Sequence, residues 1–467
     1  MSAVRTVEET IIADSWGSHL KATLALGVPL IGAQLAQLAI HTTDVIIIGQ
    51  LGAELLASMV LAAQFFFVVF IFGSGFAMAV MPMVANAYGQ DDVVSVRRSI
   101  RMGMWVSIAY GLLVMPLFMY AEPLLIALGQ VPSVAKVAAH YLHIAQFGMF
   151  PALLFAVLRG VVSASGRAGV VLYITIAMLV LNAVLAFILV LGHFGLPALG
   201  MTGAAIVAAS VQWAGFLAMA AYLQLHPETR KYELFVRFWR PDWRALKEVM
   251  RLGMPISVTV LAEAGLFSAA SLLMGSIGTV ELAAHGIALQ LASIAFMIPL
   301  GLSQAATVRV GVAHGRGDYS NLVRAAVSVT ALAMLISLSG GILFLFQADD
   351  LGGLFLDRSR ADAAAVLDYA APLIVIAGIF QLVDGLQAIA AGLLRGLKDA
   401  RIPMILALIS YWPIGFALAW IMAFPLGFGG VGVWYGFLIG LSSAAIMLLL
   451  RFTLLLRHEM RMAVAVA

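Results

Sequence analysis

The chain has 467 residues, of which 63% are hydrophobic and only 10% charged, at a mean hydropathy of +1.05. A soluble domain carries about 25% charged residues, so this composition excludes one, and a cysteine count of zero excludes disulfides, thiolate metal sites and thiol nucleophiles. Net charge is +3, which says less than where the charges stand.

The opening stretch MSAVRTVEETIIADSWGSHL carries Glu8, Glu9 and Asp14 ahead of any apolar run, unlike a signal peptide. Twelve apolar runs follow, near 22–47, 55–87, 102–120, 134–158, 169–191, 203–225, 252–275, 282–308, 325–346, 364–394, 402–424 and 432–450. About 20 apolar residues cross about 30 Å of hydrocarbon as a helix, so the expected fold is an all-α polytopic membrane protein of twelve helices. Lys and Arg are unevenly distributed. Segments 1–21, 87–101, 159–167, 226–251, 309–324, 395–401 and 451–467 hold 23 of the 26, and the opposite face has only Lys136, Arg358 and Arg360. Positive-inside bias puts both termini in the cytoplasm, and the expected location is the bacterial inner membrane.

An internal repeat organises the chain. Residues 20–98 align with 246–324 at a constant offset of 226. LKATLALGVP (20–29) matches LKEVMRLGMP (246–255), and further on Gly49/Gly275, Gln64/Gln290, Gly75/Gly301, Gly89/Gly315, Asp92/Asp318 and Arg98/Arg324 coincide. Chance similarity between apolar helices would pair Leu and Ala, not Gly, Pro, Gln and Asp. A weaker echo sets LRG at 158–160 against LRG at 394–396. Two parallel six-helix repeats follow: an N-terminal lobe over 1–225, a basic amphipathic cytoplasmic linker over 226–251 expected as a membrane-surface helix, and a C-terminal lobe over 252–467. Repeats of this kind rock about a central site.

Ionisable groups inside spans are functional candidates because they are expensive there. Three acids qualify: Asp44 in span 1, Glu263 in span 7 and Asp384 in span 10. Arg159 and Arg395 sit at cytoplasmic ends, so the interior charge reads as acidic with no basic partner. Such a carboxyl takes a proton or holds a cation; the plain alternative is a protonated acid bonded to a neighbouring helix. Spacing adds to the case. Gln34, Gln37, His41 and Asp44 step by 3, 4 and 3 along one helix face, and Gln381, Asp384 and Gln387 form a second stripe with Phe380 one turn before Asp384. Interhelical hydrogen bonding is the competing reading for the glutamines.

Weaker signals are Asn182, a lone amide; His285, near the outer end of span 8; and Tyr411 and Trp412 beside Pro413, whose rings could hold organic cations. Packing is the default for each. His140 and His143 would suit a metal only with further ligands, which the sequence does not offer. Nothing resembles a phosphate-binding loop, a catalytic triad or a nucleic-acid module, so neither an enzyme nor a nucleic-acid partner is expected.

These segments resemble the multidrug and toxic compound extrusion (MATE) family in its NorM-like branch. The resemblance rests on VPLIGAQLAQLAIHTTDVIIIGQLG (28–52), AEAGLFSAASLLMGSIGTVELAAHGIALQLASIAFMIPLGLSQAATVRVG (262–311), VDGLQAIAAGLLRGLKDARIP (383–403) and SYW (410–412). It implies a V-shaped pair of six-helix lobes, export of cationic amphipathic drugs and dyes by alternating access, antiport against H⁺ or Na⁺ as the coupling ion, and no other cofactor. It assigns Asp44 to an N-lobe acidic site and matches Asn182 to an N-lobe asparagine, and the stripe adds Gln34, Gln37 and His41 to this candidate proton or substrate site. It assigns Glu263 and Asp384 to a C-lobe cation site, holding Na⁺ if that ion is used, with Phe380, Gln381, Gln387, His285, Tyr411 and Trp412 as candidate lining. Two departures bear on the ion: Phe380 stands where many NorM-like members have tyrosine, and Ala186 where a second asparagine follows Asn182. Both remove oxygen or amide ligands, which leans toward H⁺, or toward a Na⁺ site completed by water. The expected partners are cationic small molecules and membrane lipid, acting on a monomer. Three rivals share parts of this pattern. A lipid-linked oligosaccharide flippase would need basic residues in its cavity, an enzyme a nucleophile or metal cluster, and a scaffold no interior acids.

Overall fold

A computed structural model describes residues 15–355 and 363–466. Arg358 and Arg360, counted above on the outer face, lie outside the described residues. Among the described residues, twelve helices are long and apolar enough to cross a membrane: α1 Trp16–Gly49, α2 Ala53–Gly89, α3 Val93–Met119, α4 Pro132–Ala164, α5 Ala168–Leu189, α6 Gly200–Leu225, α7 Trp243–Ile277, α8 Thr279–Arg316, α9 Tyr319–Phe346, α10 Ala363–Gly396, α11 Arg401–Ala423 and α12 Gly429–Ala463. They coincide with the twelve apolar runs, and no strand occurs among the described residues. Where backbone N–H and C=O groups cannot reach water, helices satisfy them within the segment.

The chain forms two compact units, and its crossings between them fall inside helices. Gly32–Ser257 make one unit, here the N-unit; the described residues up to Ile31 and those from Val258 onward make the C-unit. The crossings follow Pro29 in α1 and Pro255 in α7 by three residues each, where a missing N–H weakens the helix.

In the N-unit, glycines let helices approach backbone to backbone. A Cβ at Gly75 of α2 would overlap the main-chain nitrogen of Ser257 in α7, and one at Gly253 would stand 2.6 Å from the Phe76 ring. Gly160 meets Met81 at 3.2 Å in the same way. The C-unit repeats the arrangement 226 residues out of phase: a Cβ at Gly301 of α8 would lie 2.7 Å from the nitrogen of Ile31, and one at Gly27 would lie 2.6 Å from Leu302. Small residues at such crossings are how membrane helices gain van der Waals contact.

The aligned aspartates also share one task. Asp92 Oδ1 accepts from the Val94 and Ser95 amides at 3.1 and 3.0 Å, and Asp318 Oδ1 accepts from Asn321 N at 3.0 Å. Each caps the N-terminus of its helix, α3 and α9.

The linker is helical from Trp243 onward, as the start of α7, but not over the stretch before it. After a single turn at Pro227–Arg230, the chain runs through successive turns up to Arg240. Glu233 and Arg237 adopt positive φ of 46° and 53°, which ends any helix there. The cause is tertiary: Arg101 of α3 donates to Arg237 O at 3.1 Å and Trp105 Nε1 to Phe238 O at 2.9 Å. These carbonyls serve α3 instead of an intrahelical ladder.

Candidate functional site

In the N-unit, α1 and α5 bring two of the expected residues together. Asn182, fully buried, donates from Nδ2 to Asp44 Oδ1 at 2.8 Å. Both line a pocket of about 420 Å³, walled also by Phe66, Tyr141, Val211 and Gln212. Asp44 is the one charged residue in that lining. The polar stripe of α1 divides: Gln34 Oε1 accepts from Arg159 at 2.9 Å, His41 is exposed, and neither Gln37 nor His41 is among the pocket residues. Asn182 Oδ1 is buried without a partner among the described residues, so its carbonyl remains available for a donor.

In the C-unit, α10 carries Phe380, Gln381, Asp384 and Gln387, all at most 6% exposed. Gln387 Nε2 donates to Tyr411 Oη at 2.6 Å. Asp384 Oδ1, Gln381 Nε2 and Gln387 Oε1 have no hydrogen-bond partner among the described residues. A buried polar atom left so costs about 1–3 kcal/mol, and such atoms are commonly satisfied by water or a ligand. Glu263 of α7 lies within Coulomb reach of Asp384, and both act on Tyr411.

One of the interior acids, Glu263, has a basic neighbour after all. Arg395, at the end of α10, attracts Glu263 electrostatically, and Arg159 reaches Gln34 in the N-unit. Side chains on a helix lean toward its N-terminus, which carries the Arg395 guanidinium back along α10 toward Glu263.

Three further candidates separate. Phe380 is packed edge-on against Trp434 (5.6 Å between centroids) and Phe267 (6.2 Å) in the apolar core. His285, 1% exposed, lies edge-on to Trp434 at 5.7 Å, with Nε2 3.2 Å from Ser271 Oγ. Trp412 is 37% exposed and faces Gly265 of α7. Tyr411 and Trp412 diverge on a π-helical turn, Ser410–Phe416, built around Pro413. Such bulges recur at functional sites. His140 and His143 bond separately, to Thr202 Oγ1 and Met119 O. Among the described residues no three His, Asp or Glu side chains group as a metal site.

Residues 29–188 and 255–421 match the family model MatE. The chain belongs to the MatE family. It is 68% identical over 459 residues to the "Probable multidrug resistance protein NorM" of Agrobacterium fabrum, covering 98% of this chain and 99% of that protein. It is 62% identical over 445 residues to the protein of the same name from Rhizobium meliloti, covering 95% of each. The fold matches the crystal structure of the eukaryotic MATE transporter AtDTX14 at a TM-score of 0.85 and 21% identity, over 96% of this chain and 99% of that one. The family resemblance and the all-helical, multi-pass fold expected from the sequence are thus borne out.

Within this MatE chain, sequence reasoning overlooked Tyr141, Gln212 and Phe66, which complete the Asp44 pocket. Gln212 offered a signal, as a lone amide in an apolar span like Asn182. Tyr141 and Phe66 offered none, since aromatic residues in membrane helices usually pack.

Proposed function

We propose that this chain is a cation-coupled antiporter that exports cationic amphipathic compounds by alternating access of its two repeats. Its relatives are named multidrug resistance proteins and its fold neighbour a transporter, which supports transport over an enzymatic role. The observation that carries the coupling mechanism is the buried Asp384 with Glu263 in Coulomb reach. Two carboxylates in one poorly hydrated site cannot both stay ionised uncompensated, so they titrate as a pair. Taking up a cation neutralises the pair and gives the two access states different affinities, as a population shift requires. H⁺ is the favoured ion. Na⁺ seeks several oxygens, whereas a proton needs only one carboxylate, and Phe380 offers no oxygen one turn before Asp384.

Asp44, as the single charge in the N-unit pocket, supports cationic cargo, and the absence of Lys or Arg from that lining weighs against an anionic lipid-linked sugar. Tyr141 and Phe66 provide aromatic faces for an organic cation. The protein acts in the bacterial inner membrane, as a monomer with both termini cytoplasmic, in keeping with its Lys/Arg distribution. Ethidium efflux from proteoliposomes, driven in turn by an H⁺ gradient and a Na⁺ gradient, tests the reading. Export is expected with the H⁺ gradient alone. Robust export of an anionic dye, with none of ethidium, would sink it.

A further inference from the structure

Residues 226–242, between α6 and α7, lie outside both spans and run against α3 as a strap. Each of their three carboxylates pairs with an arginine of another element, Glu233 while remaining half exposed. Glu228 pairs with Arg167, Glu233 with Arg97 at 2.8 Å and Asp242 with Arg98 at 3.1 Å. Tyr232 and Leu234 are buried beneath, at 3% and 1% exposure. What the strap and the first turn of α7 present outward is therefore cationic and aromatic. Trp239 and Trp243 are 73% and 71% exposed, each followed directly by an exposed arginine, Arg240 and Arg244, with Lys231 exposed nearby. Phe235 and Val236 add apolar surface, at 41% and 44% exposure.

We propose that this strap is a docking surface for anionic phospholipid headgroups. Trp239 and Trp243 would sit at headgroup depth, with Lys231, Arg240 and Arg244 on the lipid phosphates. Position decides for lipid: the strap joins the ends of two membrane spans, at the depth where Trp side chains with one apolar and one polar edge settle. Charge decides for anionic lipid, because each strap carboxylate is already neutralised by an arginine of another element, which leaves no strap acid for Lys231, Arg240 and Arg244. The inference rests on the chain's membrane-spanning fold and not on the proposed coupling or cargo.

Lipid binding is read with the full-length protein in mixed micelles, titrated with brominated phosphatidylglycerol or brominated phosphatidylcholine, which quench tryptophan on contact. The protein has eight tryptophans, so the strap signal is the difference between native protein and Trp239→Phe/Trp243→Phe. Each basic residue at an anionic surface is worth about a fivefold gain. The strap signal should be half quenched at a phosphatidylglycerol fraction at least about tenfold below that needed for phosphatidylcholine. Lys231→Gln/Arg240→Gln/Arg244→Gln should erase that preference. In native protein, salt raised to about 0.5 M should narrow it, because surface charge is screened within a few ångströms there; this arm needs no charge variant to fold. Equal quenching by the two lipids overturns the proposal. So does a preference indifferent to both salt and the charge variant, and so does absence of strap quenching by either lipid, which would point to a soluble partner.

Discussion

Gly75 and Ser257 meet main chain to main chain, close enough that a Cβ on residue 75 would overlap the Ser257 nitrogen. Gly301 and Ile31 stand in the same relation 226 residues away, at 2.7 Å. The repeat therefore retains glycine where two helices cross with no room for a side chain. Gly75→Ala and Gly301→Ala should each lower stability by about 1–3 kcal/mol, the cost of overpacking, and toward its upper end because the obstructing atoms are backbone. Gly286→Ala, where nothing lies within 4 Å, should be neutral. Thermal unfolding of the detergent-solubilised variants distinguishes these outcomes.

The aligned caps give a second test. Asp92 bonds the Ser95 hydroxyl and the Ser95 and Val94 amides, and these bonds hold its carboxyl below the usual range, with Arg98 adding to the effect. A depressed folded-state pKa means that the stabilisation is present above the unfolded-state pKa and is lost as pH falls through the folded-state one. Asp92→Ala should cost about 1 kcal/mol at pH 7, as for other N-caps. The difference from native protein should shrink as the pH is lowered below the ordinary carboxylate range. A penalty as large at acid pH as at neutral pH would mean that cap charge is irrelevant.

Much of this architecture could be read from residues, and what could not has a physical cause. Apolar runs fix spans because the bilayer sets one length, and Gly75/Gly301 and Asp92/Asp318 mark crossings and caps because so few residue types serve there. The strap was misread: its amphipathic pattern suits a helix, but Arg101 and Trp105 take the carbonyls a helix would use. Arg395 was placed at a membrane face from its backbone position, whereas its long side chain brings its charge to bear on Glu263. In the same way, the i, i+3 and i+4 stripe of Gln34, Gln37, His41 and Asp44 gave a helix face but not the neighbours on it. Arg159 claims Gln34, and Asp44 faces Asn182. Partner identity across helices is long-range information that spacing along one helix does not contain.

Asp44 and Asn182 can be separated by their roles. Asp44→Asn keeps the size but removes the pocket's charge, and should reduce ethidium efflux at least about tenfold if a charged contact of about 1.5–3 kcal/mol is lost. Asn182→Ala leaves the carboxylate and drops one bond to it, so a smaller loss is expected. Both are measured at matched membrane expression. Unchanged efflux in Asp44→Asn would make the pair an interhelical bond and nothing more.

The C-unit acids allow the coupling ion itself to be tested. Restoring an oxygen by Phe380→Tyr is a poor probe, because Phe380 is 1% exposed between Phe267 and Trp434, and an added hydroxyl would strain that packing. The oxygen already present is Tyr411 Oη, held by Gln387 at 2.6 Å. Tyr411→Phe removes it with little change in volume. If the ion is H⁺, efflux driven by an H⁺ gradient should persist in Tyr411→Phe; if it is Na⁺, one of few neutral ligands is gone and the Na⁺ concentration needed should rise several-fold. Asp384→Asn should abolish gradient-driven export, and Glu263→Gln should weaken it strongly. Arg395→Gln bears on the return step. In the proposed mechanism its attraction to Glu263 opposes retention of the coupling cation, and a coupling of only about 1.4 kcal/mol already changes affinity tenfold. The variant should therefore load at a smaller gradient yet turn over more slowly. Efflux rate measured against gradient size resolves the two effects, since a purely structural arginine would lower the maximum without moving the half-point. Full export by Glu263→Gln/Asp384→Asn under the same gradient would refute the mechanism, because no carboxylate of the pair would then remain to carry the ion.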